Sequence, residues 1–318
     1  MADLYAGTAA AVAEPDTVLL PGHDVPLGRY TTVRRLLPQR PRRMVGAWCF
    51  VDQFGPDDVA GRPGMQVPPH PHTGLQTVTW LAEGAILHRD SLGNRQLIEP
   101  GQLNLMTSGR GIAHSEESPT DHPPVMHGLQ LWVALPDAAR HQAPRFEHHP
   151  AMPQVRVADS TVTVVVGELA GACSPAVVHS PLIGAELVVS AGGRVRIPLD
   201  PAYEHAMLSM AGAADVAGVR VESGSLFYLG LGRDSVDLFA ERPARLFLLG
   251  GEPFDEPLVM WWNFVGRSHD EVAEFRADWA AHRRFGAVEG YAGDRLPAPE
   301  MPTVRLKARD RHGRTLPG

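Results

Sequence analysis

The chain has 318 residues, 44% hydrophobic and 20% charged, with a formal net charge of −7. Length favours two domains of about 150 residues, and the acidic balance argues against a nucleic-acid surface, which needs a concentrated positive face. Two cysteines, Cys49 and Cys173, exclude a disulfide framework and a cysteine-built zinc site, and no apolar run approaches the roughly 18 residues that span a bilayer.

Met1 to Glu14 is small and mildly apolar, carries Asp3 and Glu14, and lacks the basic-then-apolar order of a secretory signal. The expected setting is therefore a reduced, cytoplasmic compartment. Residues 15–43 are rich in Pro and Arg, with a basic cluster at Arg34, Arg35, Arg40, Arg42 and Arg43. A solvated strand and loop is expected there, with docking to an acidic partner as the alternative. From Met44 the chain reads as short strands divided by turns, consistent with its 32 glycines and 29 prolines. Gln76 to Leu81 alternates, Val78 and Trp80 facing one way, Thr77 and Thr79 the other. Ala85 to Arg89 and Arg95 to Ile98 flank Asp90-Ser91-Leu92-Gly93-Asn94, a hairpin loop with Gly and Asn available for positive φ. Pro100-Gly101 and Gly109-Arg110-Gly111 mark further turns, and Leu129 to Leu135 is another apolar strand.

Pro136 to Pro153 reads as a joint between halves. A second set of strands is expected at Gln154–Val157, Thr161–Val166, Leu187–Ser190, Val195–Ile197, Ala206–Met210, Leu226–Leu229 and Arg245–Leu249. Strands at this spacing predict an all-β chain of two tandem sandwich or barrel domains. One helix follows. Ser268 and Glu271 fit a capping box, and Val272, Phe275 and Trp279 form one apolar stripe, expected to be core packing. From Ala287 onward an extended surface tail is expected.

The chemistry lies in the histidines. His70-Pro71-His72 sits just before a strand, and His114-Ser115-Glu116 follows a Gly-rich turn. In extended chain, residues i and i+2 share a face, so each triplet offers two metal-capable groups on one side. If the two strands are neighbours inside a barrel, three imidazoles and one carboxylate converge. That donor set suits Fe, Mn, Ni, Cu or Zn, and without thiolates favours a redox-active or oxygen-handling ion over structural zinc. His88 is expected in a surface or turn-bracing role, His148-His149 in a solvated linker, and Glu117 on the face opposite Glu116. No nucleophile elbow, P-loop or dinucleotide fingerprint supports a hydrolase, kinase or dehydrogenase.

The run from His70 to Trp80, with His88-Arg89-Asp90-Ser91-Leu92-Gly93-Asn94, Pro100-Gly101 and Met106 to Glu116, resembles the pirin family. Phe50 to Pro56 is similar to that family's Asp-x-Phe-Gly-Pro stretch, and Leu249 to Pro253 with Glu256-Pro257 to its C-terminal signature. The resemblance implies a bicupin: an N-terminal metal-binding barrel (1–145), then a metal-free barrel with a C-terminal helix and tail (146–318). Carried over by position, the ligands are His70, His72, His114 and Glu116. In the second barrel Glu204 and His205 are adjacent and face opposite ways.

Two departures stand out. Gln76 occupies a position where many cupins keep an acid, and Thr73 replaces a common basic residue, which implies a less positive cavity mouth. The activity implied is a mononuclear dioxygenase of the quercetin 2,3-dioxygenase type, holding one divalent ion, foremost Fe(II), and acting on a flavonol-like aromatic with dioxygen. Glu116 would accept the substrate proton. The alternative implied is a metal-dependent, redox-sensing interaction protein or transcriptional coregulator, with Arg34 to Arg43 as its docking face.

Overall fold

The computed structural model describes residues 16–27 and 31–315; the reading of Met1 to Glu14 lies outside them. Two halves repeat one plan, a seven-stranded sheet packed on a four-stranded one, with every pairing between named strands antiparallel. In the first half the large sheet runs Arg145–His149, Leu103–Thr107, Leu75–Glu83, Val125–Ala134, Trp48–Asp58, Thr31–Leu37, His23–Leu27. The small sheet runs Gln66–His72, Ile112–Glu117, Ile86–Asp90, Arg95–Ile98. The second half matches it, with Leu182–Val189, Glu204–Ala211 and Ala244–Gly251 at the centre of its large sheet. Among the described residues no helix is long and apolar enough to cross a membrane.

The two large sheets meet back to back, and the alternation in the sequence decides which side chains lie between them. Val78 and Trp80 from Leu75–Glu83 join Leu129 and Leu131 against Leu208, Leu226, Phe247 and Leu249 of the second half. Thr77 and Thr79 are buried on the other side of the strand. Two indoles bind the halves as well as fill space: Trp80 Nε1 donates to Glu186 Oε1 at 3.0 Å, and Trp48 Nε1 to the Ile183 carbonyl at 3.1 Å. Burying such rings while satisfying their N–H groups is among the larger single contributions to a core, roughly 3–5 kcal/mol per ring by truncation.

The halves also exchange chain. Val18–Pro21 pairs with Ser225–Gly230 in the second half's sheet, whereas Arg145–His149, within the expected joint, pairs with Leu103–Thr107 in the first. His148 and His149 are thus half-buried rather than solvated; His148 Nδ1 lies 2.8 Å from Asn104 Oδ1, and His149 Nε2 3.2 Å from Glu147 Oε2.

The helix His269–Ala280 starts as expected. Ser268 caps it, its hydroxyl accepting from Glu271 N at 3.2 Å, while the Glu271 carboxylate takes Arg267 N rather than the cap's own N–H. Val272, Phe275 and Trp279 pack with Ala113, Phe264 and Phe285, which seats the helix on the first half. The tail after Ala287 lies extended on the surface, as expected, and is pinned to the body at two places. Leu296 N donates to the Pro69 carbonyl at 2.8 Å, and Arg309 exchanges two backbone bonds with Leu258.

The basic cluster falls on the strand Thr31–Leu37 and the loop after it, with Arg34 and Arg40 exposed as expected and Arg35 and Arg43 half-buried. Arg35 forms a bidentate pair with Asp52, Arg34 pairs with Asp24, and Arg42 is buried. Arg42 donates to Glu204 and to the Tyr228 hydroxyl and lies over the Tyr228 ring at 3.8 Å. Glu204 also accepts Gly46 N at 2.8 Å and faces Arg311 of the tail. Gly46 stands at φ 51° with its missing Cβ position 2.7 Å from Gly251 Cα, so a side chain there would push the halves apart. A buried carboxylate stripped of its guanidinium is costly. Arg42→Ala is therefore expected to lower unfolding free energy by about 3–5 kcal/mol in urea titration; a loss under about 1 kcal/mol would contradict this account of the joint.

Candidate metal centre

The strand Ile112–Glu117 lies between Gln66–His72 and Ile86–Asp90, and register decides what meets on it. His114 stands opposite His70 on one side and Asp90 on the other. A bulge between His114 and Glu116 shifts the pairing with Gln66–His72, so that Glu116 stands opposite Val67 on that side and His88 on the other. The bulge re-aims one donor relative to the next.

All the expected donors are buried. The ring of His70 lies 4.3 Å from that of His114 and 5.0 Å from that of His72, and His72 lies 4.9 Å from His114. Each ring has one nitrogen occupied. His70 Nδ1 lies 2.9 Å from the Pro68 carbonyl and His72 Nδ1 3.1 Å from the Asn263 carbonyl. A carbonyl can only accept, so both Nδ1 atoms carry the proton and both Nε2 atoms keep a bare lone pair. His114 Nδ1 faces His88 Nδ1 at 3.5 Å, and His114 Nε2 is buried with no partner. An orphaned imidazole nitrogen beside two bare ones is what a metal ion would satisfy; the residues fit one.

Electrostatics agree. Burial pushes His70 down to about 4 and holds His72 and His114 well below the usual imidazole range, reinforced by repulsion from neighbouring imidazoles, His88 acting on His70 and His114. The rings stay neutral, the form that binds metal. Burial raises the carboxyl of Glu116 above its usual range, against the pull of His88 and of hydrogen bonds from Thr79 and Gln130. Thr79 Oγ1 lies 3.0 Å from Glu116 Oε1, and Gln130 Nε2 donates to Oε2 at 3.2 Å.

Three of the four expected ligands, His70, His72 and His114, form one group, and Glu116 groups with His114 and His88 instead. The donor atoms of His70, His72 and His114 lie within 4.8 Å of one another, and so do those of His88, His114 and Glu116. His88 braces the 90–94 turn through Asp90, one of its two expected roles, but its expected surface placement is wrong. It is not at the surface: it is buried, stacked on Phe146 at 4.4 Å, with Nε2 3.1 Å from Asp90 Oδ2. The signal was present, because His88-Arg89-Asp90 repeats the i, i+2 donor pattern of the other two strands. Glu117, as expected, faces away and pairs with Arg89.

Gln76 lies on the face of its strand opposite Thr79, which reaches Glu116. It shares the Val78 and Trp80 face, and its amide donates to Thr107 Oγ1 and the Val177 carbonyl, both at 2.9 Å. Its loss of charge therefore bears on packing between the halves. Thr73 is buried rather than at a cavity mouth, its carbonyl accepting from Val265 N.

His70, His72 and Glu116 open onto a cavity of about 430 Å³. Phe50 and Trp132 line it as a stacked pair, centroids 4.0 Å apart, and Trp132 meets His72 edge-on at 5.1 Å. Arg35 lies over Phe50 and holds the buried Asp52, whose carboxyl burial raises despite that pairing. Residues 259–266, far along the chain, complete the wall. The hairpin Val259–Trp261 and Phe264–Gly266 turns through Trp262 and Asn263, both on the cavity. Trp262 has φ 52°, a conformation that hairpins usually give to glycine. Such strain persists where surroundings fix it, and here the turn aims an indole at the cavity and a carbonyl at His72.

Comparison with known proteins follows this geometry. The Pirin family profile matches residues 30–133, and that of the pirin C-terminal cupin domain residues 184–286. A candidate quercetin 2,3-dioxygenase of Pseudomonas aeruginosa, PA1205, is 47% identical over 277 residues, covering 87% of this chain and 88% of that protein. Human pirin is 30% identical over 256 residues, covering 78% of this chain and 86% of its own. The crystal structure of a quercetin 2,3-dioxygenase from Acinetobacter baumannii superposes with a TM-score of 0.87 at 42% identity, covering 91% of this chain and 97% of that one.

If His114 Nε2 is a ligand atom, His114→Ala should sharply lower metal content by elemental analysis while far-UV circular dichroism stays native. Full metal retention in folded protein would rule the assignment out.

Proposed function

Because this chain belongs to the pirin family, a family of bicupins, we propose that it is a mononuclear metal-dependent dioxygenase that opens the ring of a flavonol-like substrate. His70, His72 and His114 hold the ion through Nε2, with Glu116 as the carboxylate donor. The ion is assigned as Fe(II), since imidazole and carboxylate without thiolate favour oxygen-handling metals; Mn, Ni, Cu and Zn suit the same donors. When bound, it supplies Lewis acidity toward a substrate hydroxyl oxygen and redox access to dioxygen.

The observation that carries this reading is the placement of three neutral, lone-pair-bearing imidazoles beside an aromatic-walled cavity of about 430 Å³. That volume lies in the range of small-molecule sites. Phe50 and Trp132 offer a flat surface for a planar polyphenol, with Trp132 leading directly to His72. Arg35 and Asp52 provide polar contacts for further hydroxyls along the wall. Glu116 takes the proton from the substrate hydroxyl. Its raised affinity for protons suits it to that task, and Thr79 and Gln130 hold it in place while it waits. Trp262 and Leu296 complete the lining of the cavity. The interaction-protein reading has less support, because Arg35 and Arg42 of its docking face are committed to Asp52 and Glu204.

The test is oxygen uptake by Fe(II)-loaded protein given a flavonol. Uptake should follow substrate, vanish in His114→Ala, and fall by about 10²–10⁴ in kcat for Glu116→Gln. No uptake with the ion confirmed bound would contradict flavonol dioxygenation.

A further inference from the structure

Asp90, His88 and His114 form a chain that ends at the candidate metal centre. It begins in the 90–94 turn. Asp90 Oδ1 accepts Leu92 N at 2.9 Å, Asn94 N at 3.1 Å and Asn94 Nδ2 at 3.0 Å, which locks the carboxylate in the hairpin loop. Its other oxygen, Oδ2, faces His88 Nε2 at 3.1 Å. A carboxylate accepts, so His88 Nε2 carries a proton and a neutral His88 presents a bare Nδ1. That Nδ1 faces His114 Nδ1 at 3.5 Å, the long end of a hydrogen bond. The arrangement is satisfied when His114 Nδ1 donates, which leaves His114 Nε2 bare, matching its lack of any partner.

Resting on the metal-holding part of the function proposed above and not on its oxygen chemistry, we propose that His88 is a positioning residue for the metal ligand His114, fixing its tautomer and ring orientation through an Asp90–His88–His114 relay. His70 and His72 are fixed by backbone carbonyls, and their Nδ1 protons have nowhere else to go. Among the described residues His114 Nδ1 meets no carbonyl, and a second imidazole takes that place. The relay is built rather than incidental. Phe146, from the strand Arg145–His149, stacks on the His88 ring at an interplanar angle of 15° and keeps it from rotating out of line. His88 also stands opposite Glu116 in register, which explains its second grouping with His114 and Glu116. With Nε2 on Asp90 and Nδ1 on His114, both ring nitrogens are already engaged, so His88 supports the centre without entering it.

Three variants test this, with Co(II) as the probe and a competing chelator to measure its affinity. His88→Phe keeps the ring volume and the stack on Phe146 but removes both nitrogens. It should bind Co(II) about 10–100-fold more weakly, with a displaced visible absorption band. His88→Gln, whose amide oxygen can accept the His114 proton, should recover part of that loss. Asp90→Asn can keep the loop bonds on Oδ1 but sets an amide donor in place of the acceptor facing His88 Nε2, and should also weaken binding.

Apo-protein melting temperatures separate this from a packing role. If the His88 variants change stability while folded protein keeps native Co(II) affinity and spectrum, the relay is wrong. Should His88→Phe fail to fold, His88→Gln and Asp90→Asn carry the same comparison, and native affinity and spectrum in both would overturn it. Loss of one imidazole from the Co(II) sphere of His88→Gln, counted by X-ray absorption, would make His88 a ligand and equally overturn it. Protein that binds Co(II) as described but consumes no oxygen when loaded with Fe(II) would remove the dioxygenase reading and leave the relay standing.

Discussion

The site depends on keeping unprotonated nitrogen in a place without water. An imidazole in solution has a near-even claim on a proton near pH 6.5, and its free nitrogen is always solvated. Four imidazoles and a carboxylate gathered on three adjacent strands lose that water together. Burial then makes the charged forms of His70, His72 and His114 expensive, and the nearness of other imidazoles makes them more so. A bare buried nitrogen costs about 1–3 kcal/mol, which the rest of the fold offsets. In return, His70, His72 and His114 are ready to bind a cation without first shedding protons.

That requirement explains the division of labour between the halves. The second half contributes Leu208, Phe247 and Leu249 to the core behind Leu75–Glu83, which backs the floor of the first half. The C-terminal extension then returns to the first half. Its hairpin supplies the Asn263 carbonyl to His72, its Trp262 and Leu296 reach the cavity, and its helix packs near Ala113, the neighbour of His114. The Arg42–Glu204–Arg311 network ties the early chain, the second sheet and the tail together. A centre built on three strands of one sheet is thus held by contacts spread along almost the whole chain.

How much of this was legible depended on whether the information was local. Period-2 alternation placed Val78 and Trp80 on one face and Thr77 and Thr79 on the other, and the i, i+2 spacing put His70 with His72 and His114 with Glu116. The capping residues Ser268 and Glu271 marked the helix start. The burial of His88 was misjudged because its flanking Arg89 and the polar 90–94 loop looked like surface, whereas burial is decided by which strands are neighbours. The same limit applied to Arg35 and Arg42, whose partners lie 17 and 162 residues away. It applied to Gln76, whose partner in the other half no local pattern can reveal. Trp262 and Asn263 were invisible for that reason also: a two-residue turn acquires a role only when the chain folds back onto His72.

The most direct measurement is a crystal structure of the metal-loaded protein with the ion located by anomalous scattering. The account requires the ion to be bonded through Nε2 of His70, His72 and His114 and to the Glu116 carboxylate, with each Nδ1 still on its present partner. An ion centred instead among His88, His114 and Glu116, or bonded through Nδ1 of any of the three, would contradict it.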